Sequence, residues 1–136
     1  AALSFGAQGV WMGTRFIATQ EARAHENYKQ KIAETDTAGT VVTRAHSGKT
    51  CRLIRNGFTD SWVGREAEIE PYPLQGMHVG HPASQRGRIE GDVENGVLPA
   101  GQSAGLIDGV PMAGDVVRAI AAEADTVLSK LTGGNK

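Results

Sequence analysis

The amino-acid sequence predicts an α/β protein, and three features carry that reading. A short apolar run bounded by glycines, Gly9-Val10-Trp11-Met12, reads as a strand buried on both faces, as in a parallel sheet. Two β-rich segments, Thr40–Ala45 and Thr50–Arg55, flank His46-Ser47-Gly48-Lys49 and predict a hairpin with a four-residue loop. Apolar residues at helical spacing from Val116 to Leu131 predict one long amphipathic helix.

Taken along the chain, Ala1–Phe5 followed by Gly6 reads as the last turn of a helix with its C-terminal glycine. A start of this kind, without methionine, reads as the interior of a longer polypeptide. The strand follows and ends at Gly13-Thr14. Phe16 and Ile17 lead to Thr19 as an N-cap and to a polar helix over 20–34, with Tyr28 and Ile32 marking its inner stripe. Beyond the hairpin, Asn56-Gly57 is a turn signal. The stretch from Glu66 to Ala83 holds three prolines and little periodicity, so helical pieces there cannot be placed. Ala104–Ile107 suggests a short helix or turn. Pro111 opens the last helix, expected over 111–131 with Val116, Val117, Ile120, Ala121, Ala124, Val127, Leu128 and Leu131 on one face. Gly133–Lys136 reads as a frayed tail.

Composition narrows the class of function. The 136 residues are 40% hydrophobic and 21% charged with a formal net charge of -1, the balance of a soluble globular protein. That charge gives no drive toward nucleic acid or an anionic membrane, and no run of Lys or Arg builds a local one. The single cysteine, Cys51, rules out an intrachain disulfide and a multi-cysteine zinc site. It reads as a small buried side chain in a strand and fits a cytoplasmic setting. No apolar run approaches the roughly 18 residues of a membrane span. His78-Val79-Gly80-His81 has a spacing that invites a metal, but no carboxylate or cysteine cluster supports one, and no metal is expected.

The chemistry-bearing stretch is Gly9-Val10-Trp11-Met12-Gly13-Thr14-Arg15. Ligands of α/β proteins sit at the carboxyl ends of parallel strands. A glycine there admits a ligand close to the backbone, and free N–H groups and a threonine hydroxyl can donate to phosphate oxygens. On physics alone, a strand ending in Gly-Thr is more often simply a turn. Arg15 reads as a neutraliser of phosphate charge or as a member of an ordinary ion pair.

The stretch Gly6-Ala7-Gln8-Gly9-Val10-Trp11-Met12-Gly13-Thr14-Arg15-Phe16, followed by Ala18-Thr19-Gln20-Glu21-Ala22, resembles the last barrel strand of nitronate monooxygenases, formerly called 2-nitropropane dioxygenases. Flavin-type enoyl-acyl-carrier-protein reductases share the pattern. A second stretch, Gly91-Asp92-Val93-Glu94-Asn95-Gly96-Val97-Leu98-Pro99-Ala100-Gly101-Gln102-Ser103-Ala104-Gly105-Leu106-Ile107, is similar to the segment that returns the family's chain to the barrel. Arg52-Leu53-Ile54-Arg55-Asn56 fits the family's smaller substrate domain.

The resemblance implies the C-terminal fragment of an FMN-dependent (β/α)8 barrel with an inserted small α+β substrate domain. On that expectation residues 1–34 hold the last barrel strand and following helix, 35–98 the substrate or lid domain, and 99–136 the return segment and C-terminal helix. Carried over residue by residue, Gly13 and Thr14 meet the FMN phosphate and Trp11 and Met12 lie along the strand leading to it. Gln102 either hydrogen-bonds a flavin or substrate carbonyl or caps the following helical turn. A full barrel takes roughly 250 residues, so most of it would lie upstream of position 1. The family's catalytic histidine lies there too. None of His25, His46, His78 and His81 matches it, and no catalytic residue is assigned. The implied activity is oxidation of a nitronate or nitroalkane with O2. The family alternatives are enoyl-acyl-carrier-protein reductase and NADH:quinone reductase. The alternative of another class is a truncated, inactive chain that self-associates through exposed apolar surface.

Overall fold

The computed structural model describes residues 1–133 and is mixed helix and strand. Its elements are α1 (Thr14–Ile17), α2 (Glu26–Glu34), β1 (Thr40–Thr43), β2 (Cys51–Ile54), α3 (Gly57–Asp60), α4 (His81–Arg88) and α5 (Ala113–Thr132). Short 3-10 turns lie at Leu3–Phe5, Glu66–Glu68 and Gln102–Leu106, and a π-helical turn at Gly76–Gly80 runs straight into α4.

The expected hairpin is present. β1 and β2 pair antiparallel in the register Thr40 with Ile54 and Thr43 with Cys51. Its connection is longer than the four residues expected, because the ladder stops at Thr43 and resumes at Cys51. Gly48 closes the turn at φ 81°, with its N–H donating to the Arg44 carbonyl. A side chain there would strike the backbone of Glu70 and Tyr72, so glycine is required for both reasons.

β2 and the segment after it form a wall between two apolar clusters. Successive side chains of an extended strand point to opposite faces. Leu53 therefore enters one cluster with Ala45, Phe58, Ala83 and Val97, and Ile54 enters the other with Ala18, Tyr28, Ile32, Leu98, Ala100, Ala104 and Ile107. Val97 and Leu98 alternate in the same way. They lie against β2 through the Ile54 N–H, which donates to the Leu98 carbonyl at 2.9 Å, and through an antiparallel bridge between Leu53 and Pro99. The second cluster draws on residues near both ends of the chain, which brings the 13–18 and 100–107 segments side by side.

Several elements depart from the pattern expected of them. Gly9–Gly13 is not a strand; it runs irregularly into α1. A parallel strand exists only where neighbours accept its hydrogen bonds, and among the described residues the hairpin is the one sheet. The second helix begins at Glu26 with His25 as N-cap, not at residue 20 behind Thr19, whose hydroxyl turns back to the Phe16 carbonyl at 2.8 Å. Asn56-Gly57 is the start of α3 rather than a plain turn. The Asn56 side chain accepts from the Thr59 N–H and donates to the Val93 and Gly96 carbonyls at 2.6 and 2.8 Å. The last helix starts two residues after Pro111, whose carbonyl accepts the Gln20 N–H, and the Glu21 carboxylate accepts the Ala113 N–H at 2.8 Å. That contact satisfies an N–H which the helix itself cannot. Gly6 does close the Leu3–Phe5 turn in the left-handed region at φ 88°. Of the expected tail, 134–136 lie outside the described residues.

Candidate functional site

The two stretches singled out in the sequence meet in space. The Gly101 N–H donates to Thr14 Oγ1 at 2.9 Å, across 87 positions of chain. Thr14 opens α1 and Gly101 opens the Gln102–Leu106 turn, so one hydrogen bond joins the start of each. A hydroxyl has one proton and two lone pairs. With one lone pair taken by Gly101, the Thr14 proton is left for an outside acceptor. Beside it, a side chain added at Gly13 would meet no atom within 4 Å, so the backbone there is open to approach.

Arg15 belongs to the scaffold. Its guanidinium donates to the Ala18 carbonyl at 2.5 Å and to the Gly109 carbonyl at 2.8 Å, clamping the end of α1 to the loop before α5. Among the described residues it forms no ion pair, the ordinary role that the sequence offered for it. Its Nε is buried without a partner. The reason lies in geometry: both acceptors are main-chain groups, which carry no mark in the sequence.

Gln102 is exposed and does not cap the turn, since Gly101 holds the N-cap position and no side chain closes a cap bond there. Trp11 is 99% exposed and, with Met12, lies on the irregular segment rather than on a strand. Met12 lines an apolar groove of about 500 Å³ with Leu3, Val10, Phe16, Val117 and Ile120. Phe16 as a groove wall was not read from the sequence. Its place between Gly13 and the α5 stripe was the available signal.

The titratable groups elsewhere are structural in character. Burial pushes the Tyr28 hydroxyl up to about 12, opposed by the charge of Arg88, and that hydroxyl donates to the Pro99 carbonyl at 2.5 Å. Burial raises the Cys51 thiol, which leaves it a poor nucleophile, in keeping with a packed side chain in β2. His46 is held below its ordinary value by burial first, then by the charges of His81 and Arg88. His78 Nδ1 lies 2.7 Å from a Glu70 carboxylate oxygen. Among the described residues no three His, Cys, Asp or Glu side chains converge as metal ligands, and no helix is long and apolar enough to cross a membrane.

The chain is similar to several known proteins. A probable nitronate monooxygenase of Staphylococcus haemolyticus is 43% identical over 70 residues, covering 52% of this chain and 20% of that protein. One from Staphylococcus aureus is 40% identical over 75 residues, covering 55% and 21%. The chain thus matches about a fifth of the length of these curated relatives. Among solved structures, FabK from Thermotoga maritima superposes with a TM-score of 0.84 at 36% identity, covering 97% of this chain and 42% of that one. Nitroalkane oxidase from Streptomyces ansochromogenes gives 0.75 at 32% identity, covering 93% and 36%. The family model described as nitronate monooxygenase matches residues 1–123, and the chain belongs to that family of oxidoreductases.

Proposed function

We propose that this chain supplies part of the phosphate site and the substrate lid of an FMN-dependent nitronate monooxygenase, as the C-terminal part of a longer (β/α)8 barrel polypeptide. The observation that carries the reading is the Thr14–Gly101 hydrogen bond, because it unites the two segments that resemble the family's flavin-contacting regions. The donor chemistry fits a phosphate. Phosphate oxygens accept, the Thr14 proton is free to be given, and the backbone at Gly13 is uncovered. Arg15 is given no role in this reading; its Nη2 already donates to the Ala18 and Gly109 carbonyls.

In this reading Gly13 and Thr14 hold the phosphate, Trp11 and Met12 flank the approach, and exposed Gln102 presents its amide to a flavin or substrate carbonyl. Residues 1–34 carry the phosphate side, 35–98 the lid and 99–136 the return segment and closing helix. Bound FMN supplies the electron chemistry by which a nitronate and O2 give a carbonyl compound and nitrite, while the protein binds and orients. No general base is assigned to this segment. The isolated chain is expected to turn over no nitronate, because none of its histidines matches the family's catalytic histidine.

A second reading is reductase chemistry, with a nicotinamide cofactor as hydride donor to the flavin. It is favoured by the Gly6–Phe16 pattern, which the family's enoyl-acyl-carrier-protein reductases share. A protein carrying this segment within a complete barrel separates the two: nitrite release from a nitronate in air marks the first, oxidation of NADH the second.

The phosphate role is tested by titrating FMN into an intact barrel enzyme that contains this segment and into its Thr14→Val variant. A hydrogen bond to a charged group is worth roughly 1.5–3 kcal/mol, so affinity falls about 10- to 100-fold while the fold is kept. Equal affinity of the two chains counts against the assignment.

A further inference from the structure

We propose that the face of α4 carrying His81, Ser84, Gln85 and Arg88, with His46 beside it, binds a doubly charged oxyanion of the sulfate or phosphate type. This site is independent of the flavin reading. The four α4 residues stand at positions i, i+3, i+4 and i+7, which share one side of a helix. With Ile89 they line a cavity of about 240 Å³. That is room for a tetrahedral oxyanion and several waters, each water taking roughly 30 Å³. His46 arrives from the connection between β1 and β2. Its ring lies over Gly80, directly before α4, where an added side chain would sit 2.8 Å from His46 Cδ2. Two elements distant in sequence thus bring two imidazoles and a guanidinium together.

The chemistry of the lining selects the charge of the ligand. A guanidinium, an amide, a hydroxyl and protonated imidazoles are all donors, and no carboxylate lines the cavity. Nearby side chains are engaged elsewhere: Gln75 with the Ala45 carbonyl, His78 with Glu70 and Arg86 with the Asn95 carbonyl. Among the described residues no carboxylate pairs with His81 or Arg88, and the histidine ion pair is that of His78 with Glu70 on the turn before α4. On the connection that holds His46, Arg44 donates to the Gly48 carbonyl and Lys49 lies over the Tyr72 ring. The charges that act on His46 are those of His81 and Arg88; after burial, they hold its pKa below the ordinary value. Like charges gathered in this way disfavour one another. A dianion seated among them replaces repulsion with attraction and draws a proton onto His46.

Sulfate is the probe, because it stays doubly charged where histidine titrates. It is added to the 136-residue chain against chloride at equal ionic strength, and the ring signals of the four histidines are followed by NMR. Saturable movement of His46 and His81 is expected, with His25 and His78 following the chloride control. Arg88→Gln is expected to weaken sulfate about 10-fold or more, the loss of a hydrogen bond to a charged group. Arg86→Gln removes the same charge from the same turn but off this face, and is expected to change affinity less than about 2-fold, as for an exposed charge. Affinity is expected to rise as pH falls from about 7.5 to about 5.5, through the range in which histidine gains its proton. No saturable movement, equal movement of all four histidines, equal weakening by the two variants, or an affinity indifferent to pH overturns the site. Inorganic phosphate and methyl phosphate, titrated in the same way, separate its sources. Equal binding of both identifies a phosphoryl group carried on a larger molecule, and binding of inorganic phosphate alone identifies the free ion; either result upholds the site.

Discussion

Tyr28 shows how one side chain binds distant parts of this chain. Its ring is 1% exposed in the cluster around Ile54, and its hydroxyl donates to the Pro99 carbonyl. Burial raises its pKa to about 12, above the ordinary value near 10. A raised folded-state value means that the unfolded chain loses its proton first. The associated stability is therefore complete below about pH 10 and is lost as pH rises toward 12, a change of about 2–3 kcal/mol. Tyr28→Phe should remove that alkaline loss. It should also cost about 1–3 kcal/mol near neutrality, because the Pro99 carbonyl loses its donor. Urea unfolding across this pH range checks both; a parallel alkaline decline in the two proteins would assign the effect to other groups. The spacing of Tyr28 and Ile32 made their burial legible in the sequence. The carbonyl that Tyr28 meets was not, and neither were the two that Arg15 clamps, since main-chain acceptors brought together by the fold leave no trace in residue identity.

At the scale of elements, legibility followed the range of the interactions. The hairpin was readable because β1 and β2 carry their partners within a few residues of each other. The strand expected at Gly9–Gly13 was not realised, because a parallel strand depends on neighbours far away in sequence and the run of apolar residues says nothing of their presence. Asn56-Gly57 was ambiguous for another reason. The same residues serve turns and helix starts, and Thr59 three positions on was the deciding partner. The approach of Thr14 to Gly101 was legible only through resemblance. A packing relation that sequence could not reveal is the contact of α4 with the return segment. A side chain at Gly96 would lie 2.2 Å from the Gly87 α-carbon. Gly96→Ala should force two backbones apart and destabilise the protein by about 1–3 kcal/mol or more. Gly9→Ala, which meets nothing within 4 Å, should leave stability nearly unchanged. Matching denaturation midpoints for the two variants would refute the close approach.

For the molecule as a whole, the governing fact is an apolar face that the described residues leave uncovered. α5 buries Val116 but leaves Val117 56% and Leu131 71% exposed, and Val10 across the groove is 56% exposed. The stripe expected to face a core therefore mostly faces outward. Apolar patches beyond a few hundred Å² draw partners or promote aggregation. The isolated chain should accordingly show a mass that rises with concentration in light scattering. Paired Val117→Lys and Val127→Lys substitutions should lower it toward the monomer, because each places a charge on the exposed stripe. A monodisperse monomer in the unsubstituted chain would mean that this face is tolerated by water as it stands.

The cap at Asn56 also bears on how the protein ages. Asparagine followed by glycine is the pair most prone to deamidation, in which the next residue's nitrogen attacks the side-chain carbonyl and closes a succinimide ring. In the folded chain both reactants are occupied. The Asn56 amide donates to Val93 and Gly96, and the Gly57 nitrogen donates to a Glu94 carboxylate oxygen at 2.9 Å. Native protein should keep its amide in storage, and Glu94→Ala should lose it faster, seen as conversion of Asn56 to aspartate and isoaspartate by peptide mass analysis. Because α3 begins at that residue, each conversion would put a carboxylate where two carbonyls now accept hydrogen bonds, so a molecule that unfolds for long enough would acquire a lasting chemical record of having done so.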